Sequence, residues 1–171
     1  MRKADRDWAG IQVLIDHREG GGIGGYFGNS LAMFHAIKYQ VDRKPDGSGL
    51  YILGPNAAIE PMTPEKQALL QYFASEEDFL KAWKWLGWNE FTIRSVGRIP
   101  QISTHINGVL ISKIDLGKIN WPNYDPEGMF GLLGHSGSIA LEVHDSGRQV
   151  GDFRWARGAK CRFRNIRIRE L

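Results

Sequence analysis

A single cysteine, Cys161, stands in a chain of 171 residues. No disulfide can form within the chain, and there is neither the C-x-x-C spacing of a zinc site nor a Cys/His nucleophile pair at motif spacing; a buried thiol is the expectation. No apolar run approaches the roughly 18 residues that a membrane-crossing helix needs, and the opening residues Met1 to Asp7 include no hydrophobic signal region. An excess of one charge is also lacking. Lys and Arg number 22 against 19 Asp and Glu, a formal net charge of +3, and they are spread along the chain. The one basic cluster, Arg162, Arg164, Arg167 and Arg169, alternates with Phe163, Ile166 and Ile168 and reads as the solvated side of a strand. With no nucleic-acid motif beside it, nucleic acid is not an expected partner. There is no internal repeat, heptad or low-complexity tract. What is there is 42% apolar and 24% charged, an ordinary globule that can bury its own core as one domain over residues 1–171.

Period-two patterning dominates. Ile11, Val13 and Ile15 predict a strand over Gly10 to Asp16, followed by a glycine cluster from Gly20 to Gly25. The segment after the glycines is aromatic and strand-like, where a nucleotide-binding loop would require a helix. Residues 41–61 are loop-rich, with turn signals at Lys44 to Gly49 and at Gly54-Pro55-Asn56. Helical features are confined to 63–87. Thr63 caps a first helix with Pro64 at its first position and Leu69, Leu70 and Phe73 as its apolar residues. Ser75 caps a second, with Phe79, Trp83 and Leu86 on one face and Gly87 as its stop. Strands are then expected at Glu90 to Val96, Ile102 to Asn107, Val109 to Ile114, Ser138 to His144 and Cys161 to Arg169. Asn107-Gly108 marks a two-residue hairpin turn. The apolar parity changes between Phe163 and Ile166, which predicts a bulge or an inward-turned side chain near Asn165. Many short strands with turns between them indicate a sandwich or barrel.

Four motifs occur in order in the C-terminal half: Trp88-Asn89-Glu90, Ile102 to Gly108, Gly137 to His144, and Phe163-Arg164-Asn165-Ile166-Arg167-Ile168-Arg169. Together with Gly10 to Gly28 they resemble the 3-keto-disaccharide hydrolase domain family. The resemblance implies an all-β fold, an antiparallel β-sandwich of the concanavalin A-like jelly-roll kind, with a helical insertion near 63–87. Family members have further strands ahead of the equivalent of Gly10. The fold is therefore expected to be incomplete at the N-terminus, with unpaired sheet edges through which the chain could self-associate. Relatives are often exported or periplasmic, and the localisation of this chain is left open.

The resemblance further implies cleavage of a glycosidic bond in a sugar already oxidised at carbon 3. The ketone acidifies the hydrogen at carbon 2, a base removes it, the glycosidic oxygen leaves by elimination, and water adds back. Such a site needs a base, a donor or metal for the enolate oxygen, and an acid for the leaving group. Alternation puts Glu142 and His144 on one strand face opposite Ile139, Leu141 and Val143, expected to be core; likewise His105 shares a face with Ser103 and Asn107. His144 is the leading candidate for proton transfer, Glu142 for orienting or metal-holding, and His105 is the second imidazole. Gln12, Asn107, Asp16 and Trp88 are candidate sugar contacts, while Trp121, Tyr124 and Trp155 could stack on a sugar ring but read first as core. No cofactor is required by the pattern, and a divalent metal such as calcium remains open. The rival functions are a non-catalytic carbohydrate-binding module on the same fold and an inactive fragment.

Overall fold

The computed structural model describes residues 8–15, 22–37, 39–41, 59–61, 63–84, 87–142 and 160–171. Two compact units divide the chain at residue 138.

The first unit is built from antiparallel strands. The strands β1 (Gly10–Val13), β2 (Tyr26–Asn29) and β3 (His35–Ala36) form a sheet in the order β1-β2-β3. The strands β4 (Tyr39–Val41) and β5 (Ile59–Pro61) pair with each other, so both ends of the predicted loop region are strand; its turn signals lie outside the described residues. A larger sheet has the order β6-β9-β8-β7, from β6 (Leu70–Phe73), β7 (Phe91–Val96), β8 (Gln101–Ile106) and β9 (Val109–Asp115). The helices are short: α1 (Pro64–Ala68), α2 (Glu76–Ala82) and α3 (Pro126–Leu133). This is an all-β sandwich with a small helical insertion.

Alternation in β8 decides which way its sheet faces. Ile102, Thr104 and Ile106 are buried, while Gln101, Ser103 and His105 are half-buried on the other side. Across the buried side, Tyr26 and Ala36 of the three-stranded sheet, with Phe34 from the β2–β3 connection, join Leu70, Ile102, Ile114, Leu116 and Met129 in one apolar cluster. Burying each large side chain there contributes about 1.5–3 kcal/mol. The Tyr26 hydroxyl crosses between the sheets to lie 3.1 Å from Thr104 Oγ1 and 3.0 Å from Ser112 Oγ, so the polar atoms of this core satisfy one another. A second cluster, Phe79 and Ala82 of α2 with Ala74, Ile106 and Ile111, covers the hairpin end.

The insertion differs from its expected form. The first helix ends at Ala68, and Leu70 to Phe73 pair with β9. Their three-residue apolar spacing arises from a register shift between Leu70 and Tyr72: Leu70 opposes Ile114 and Phe73 opposes Ser112, so a bulge returns both to the core side and imitates a helical period. Thr63 occupies the N-cap without a side-chain cap bond, whereas Ser75 accepts a hydrogen bond from the Asp78 N–H at 3.1 Å, as its capping role predicts. The second helix stops at Ala82 with Trp83 as its C-cap; Leu86 lies outside the described residues.

Asn107 and Gly108 both have positive φ, 50° and 85°, which confirms the hairpin turn joining β8 to β9. A second register shift, between Thr104 and His105, leaves Ile111 as an extra residue in β9.

In the second unit, residues 139–142 and 160–171 form no strand. Ile139 and Leu141, expected in the core, are 71% and 53% exposed, and Phe163, Ile166 and Ile168 are also exposed. A period-two pattern specifies which side chains share a face, but a strand also needs a neighbouring strand to pair with, and no strand pairing joins these segments among the described residues. Cys161 is exposed for the same reason, against the buried thiol expected of it. Asn165 has a left-handed backbone, φ 55°, but with no strand there to bulge and its side chain exposed, it is neither the bulge nor the inward-turned side chain expected.

Candidate functional site

Turning one face of the β6-β9-β8-β7 sheet toward Tyr26 leaves the other face to the alternate side chains. Register aligns them in rows. Thr92, His105 and Leu110 lie side by side across β7, β8 and β9; in the next row Arg94 opposes Ser103, Ser103 opposes Lys113, and Lys113 opposes Tyr72. A third row places Val96, Gln101 and Asp115 together. The face is thus polar, with an imidazole, two cations, a serine and a carboxylate on adjacent strands.

His105 has one unusual atom. Its Nδ1 is buried with no hydrogen-bond partner. A buried imidazole nitrogen normally finds a hydrogen-bond partner that fixes its tautomer, and this one has none. Alternation from the buried Ile102, Thr104 and Ile106 placed His105 and Ser103 on this face from sequence alone, and the structure agrees.

Asn107 is occupied by the fold. Its Nδ2 donates to Ala82 O at 2.7 Å and to Asn89 Oδ1 at 2.8 Å, while its Oδ1 accepts from the Glu90 N–H at 3.0 Å. Asn89 in turn bonds Lys84 through both its amide atoms, at 2.8 and 3.0 Å. The paired amides tie the end of α2 to the β8–β9 hairpin. Trp88, next to Asn89, is 46% exposed. Gln12 lies half-buried on β1 opposite Phe27. Trp121 donates its indole N–H to Ala32 O at 3.1 Å, and the Tyr124 hydroxyl donates to Leu116 O at 2.9 Å; both rings pack against the core.

Glu142 is an exposed residue of the second unit. His144, Asp16 and Trp155 lie outside the described residues. Of the seven residues singled out from sequence, the first unit therefore holds His105, Asn107, Gln12 and Trp88, and only His105 stands on the polar face with an unpartnered polar atom.

Asp115 is a carboxylate that sequence reading missed. Burial pushes its pKa up, but hydrogen bonds from Gln101 Nε2 at 2.9 Å and the Gly117 N–H at 3.0 Å, with the Lys118 charge, outweigh burial and hold it below its ordinary value. Gln71 Nε2 approaches the same carboxylate at 3.4 Å. Tied down on every side, Asp115 is an anchor of the sheet end rather than a poised acid. Arg94 and Lys113 were missed as well. Carrying the β8 alternation across a regular hairpin would have placed Ser112 beside Ser103 and Lys113 beside the buried Ile102; the bulge at Ile111 reverses the parity of β9 and sets Lys113 beside Ser103 instead.

Among the described residues, no group of three or more His, Cys, Asp or Glu side chains converges to hold a metal ion. None of the described helices is long and apolar enough to cross a membrane.

The family described as the 3-keto-alpha-glucoside-1,2-lyase-like domain matches residues 5–169. The chain belongs to that family. The match spans both units and all four C-terminal motifs, including Trp88-Asn89-Glu90, whose asparagine is half of the amide pair above. The family's name describes lyase-like chemistry on a 3-keto-glucoside, which agrees in kind with the 3-keto-disaccharide cleavage that the motifs implied. No curated protein and no solved structure matches the chain.

Proposed function

We propose that this domain cleaves the glycosidic bond of 3-keto-glycosides, 3-keto-disaccharides among them, by elimination followed by hydration. A base takes the hydrogen from carbon 2. The electron pair of that bond forms the enolate of the carbon 3 ketone, whose collapse restores the carbonyl, creates a double bond between carbons 1 and 2, and expels the glycosidic oxygen, which takes up a proton. Water then adds across the double bond, hydroxyl to carbon 1 and hydrogen to carbon 2.

The observation that carries this reading is the family match over residues 5–169, joined to an imidazole whose Nδ1 is unpartnered on the polar sheet face. His105 is suited to proton transfer because its imidazole stands on the polar face next to the Ser103 row and no hydrogen bond commits its Nδ1. His144 and Glu142, from the Gly137 to His144 motif, are the other residues proposed for proton transfer and for orienting the substrate. Gln12, Asp16 and Trp88 are proposed sugar contacts.

Release of free sugar from a 3-keto-disaccharide tests the proposal. The chain is expected to turn the substrate over, and His105→Ala, His144→Ala or Glu142→Ala to lower kcat by roughly 100-fold or more where the residue transfers the proton. If the chain binds the sugar, none is released, and the three variants bind it equally, the domain is a carbohydrate-binding module.

A further inference from the structure

The reaction proposed above requires something to hold the enolate oxygen, and the residues named for proton transfer do not supply it. The row next to His105 does. Arg94, Ser103 and Lys113 lie opposite one another on β7, β8 and β9. Neighbouring strands are ~4.8 Å apart, so the two cations flank the serine with their backbones ~10 Å from each other. Ser103 and His105 are two residues apart on the same face of β8, a separation of ~7 Å along the strand. A pyranose ring lying on that face spans from the imidazole to the row.

Neither cation has a competing partner among the described residues. Among the described residues, the ion pairs use Lys81 with Glu77, Arg98 with Glu127 and Lys118 with Asp115; Arg94 and Lys113 are in none of them. The carboxylate on this face, Asp115, belongs to the neighbouring row and is held by Gln101, Gln71 and Gly117. Two unpaired cations side by side on a sheet repel each other weakly. The fold gains nothing from them that neutral polar residues would not give, whereas a negatively charged oxygen arriving between them is stabilised by both.

We propose that Arg94 and Lys113, with the Ser103 hydroxyl between them, are the donors that hold the carbon 3 oxygen of a 3-keto-glycoside as it becomes an enolate. This rests on the reaction proposed above and adds its oxyanion site. As His105 takes the proton from carbon 2, negative charge moves onto the carbon 3 oxygen, where the guanidinium and ammonium donate hydrogen bonds. When the glycosidic oxygen leaves, the charge leaves with it and the carbonyl is restored. The donors are stronger partners of the enolate than of the neutral ketone, so they act on the chemical step more than on binding.

The test uses the full chain and its Arg94→Gln, Lys113→Gln and double variants, with Lys81→Gln as an exposed-cation control on α2. Three quantities are measured: kcat and KM for sugar release from a 3-keto-disaccharide, exchange of the carbon 2 hydrogen in deuterated water, and Tm. Each single variant is expected to lower kcat at least tenfold with KM within about threefold, and to slow exchange in parallel. Arg94→Lys should recover part of the loss, Lys81→Gln none should show, and Tm should stay within a few degrees throughout. Single variants that keep kcat within twofold, or that raise KM alone, overturn the assignment of the row while leaving the reaction standing. A wild-type chain that neither releases sugar nor exchanges the carbon 2 hydrogen overturns the reaction, and the role of the row with it.

Discussion

Asn107→Ala is the substitution whose effect can be worked most directly from the structure. The side chain makes three hydrogen bonds, to Ala82 O, to Asn89 Oδ1 and from the Glu90 N–H. At about 0.5–1.5 kcal/mol net for each, their loss costs about 3 kcal/mol. The backbone adds to this, because Asn107 has φ 50° and an alanine held in the left-handed region costs about 1–2 kcal/mol more than a residue that tolerates it. The sum is about 4–5 kcal/mol, and at roughly 2–4 °C per kcal/mol for a chain of this length the Tm should fall by about 10–15 °C. Asn107→Gly separates the two contributions. It removes the same hydrogen bonds and keeps the conformation at no steric cost, so it should lose about 3 kcal/mol. Urea unfolding of the three proteins, followed by tryptophan fluorescence, should therefore rank wild type above Gly and Gly above Ala. Equal loss in Gly and Ala would refute the conformational part. A loss below about 0.5 kcal/mol in both would refute the amide network itself, and with it the view that this asparagine ties α2 to the hairpin.

Three further outcomes follow from the buried polar groups. Tyr26→Phe should cost about 1–3 kcal/mol by urea titration, because it strands the Thr104 hydroxyl between the sheets while Ser112 keeps its bond to Gly24 O; an unchanged midpoint would mean the Thr104 hydroxyl pairs elsewhere. Asp115 is held below its ordinary 3.8, so its contribution to stability is present above that pH and disappears as pH falls through the lower folded value. Asp115→Asn should accordingly be less stable than wild type at pH 7 and match it more closely at about pH 2, and a difference independent of pH would contradict the depressed carboxyl. Tyr124 is pushed up to about 12, by burial first and then by the charges of Asp115 and Asp125. Its stabilising contribution is full below the ordinary 10.0 and is lost as pH rises through about 12, so the Tyr124 hydroxyl should remain unionised near pH 11 in an absorbance titration of the folded protein, beside Tyr26, which burial also pushes up. Tyr124→Phe should reduce the late-titrating absorbance by the equivalent of one ring; a late step unchanged by the substitution would assign it to other rings.

Much of this fold follows from local rules that the chain satisfies by itself. Alternation along Gln101 to Ile106 decides which side of β8 is buried, because successive side chains of a strand must point to opposite faces. Asn107-Gly108 specifies the hairpin because those two residues accept positive φ, and Ser75 starts α2 because its hydroxyl caps a free N–H. The order of the motifs from Trp88 to Arg169 indicated the family, and the match over residues 5–169 confirms it. Tertiary structure decided what depends on a neighbour. Leu70 and Phe73 fit a helix by spacing, and only pairing with β9 through a bulge makes them strand. Ile139 and Leu141 have the pattern of a buried strand face yet are exposed, since a pattern supplies a face and not the partner that covers it. The side-by-side placement of Arg94, Ser103 and Lys113 is likewise a product of register, set by which residues of three strands exchange hydrogen bonds and by the extra residue at Ile111. Side-chain direction is a local property of the backbone, while register and burial are properties of two segments at once, and that is why the first could be read along the chain and the second could not.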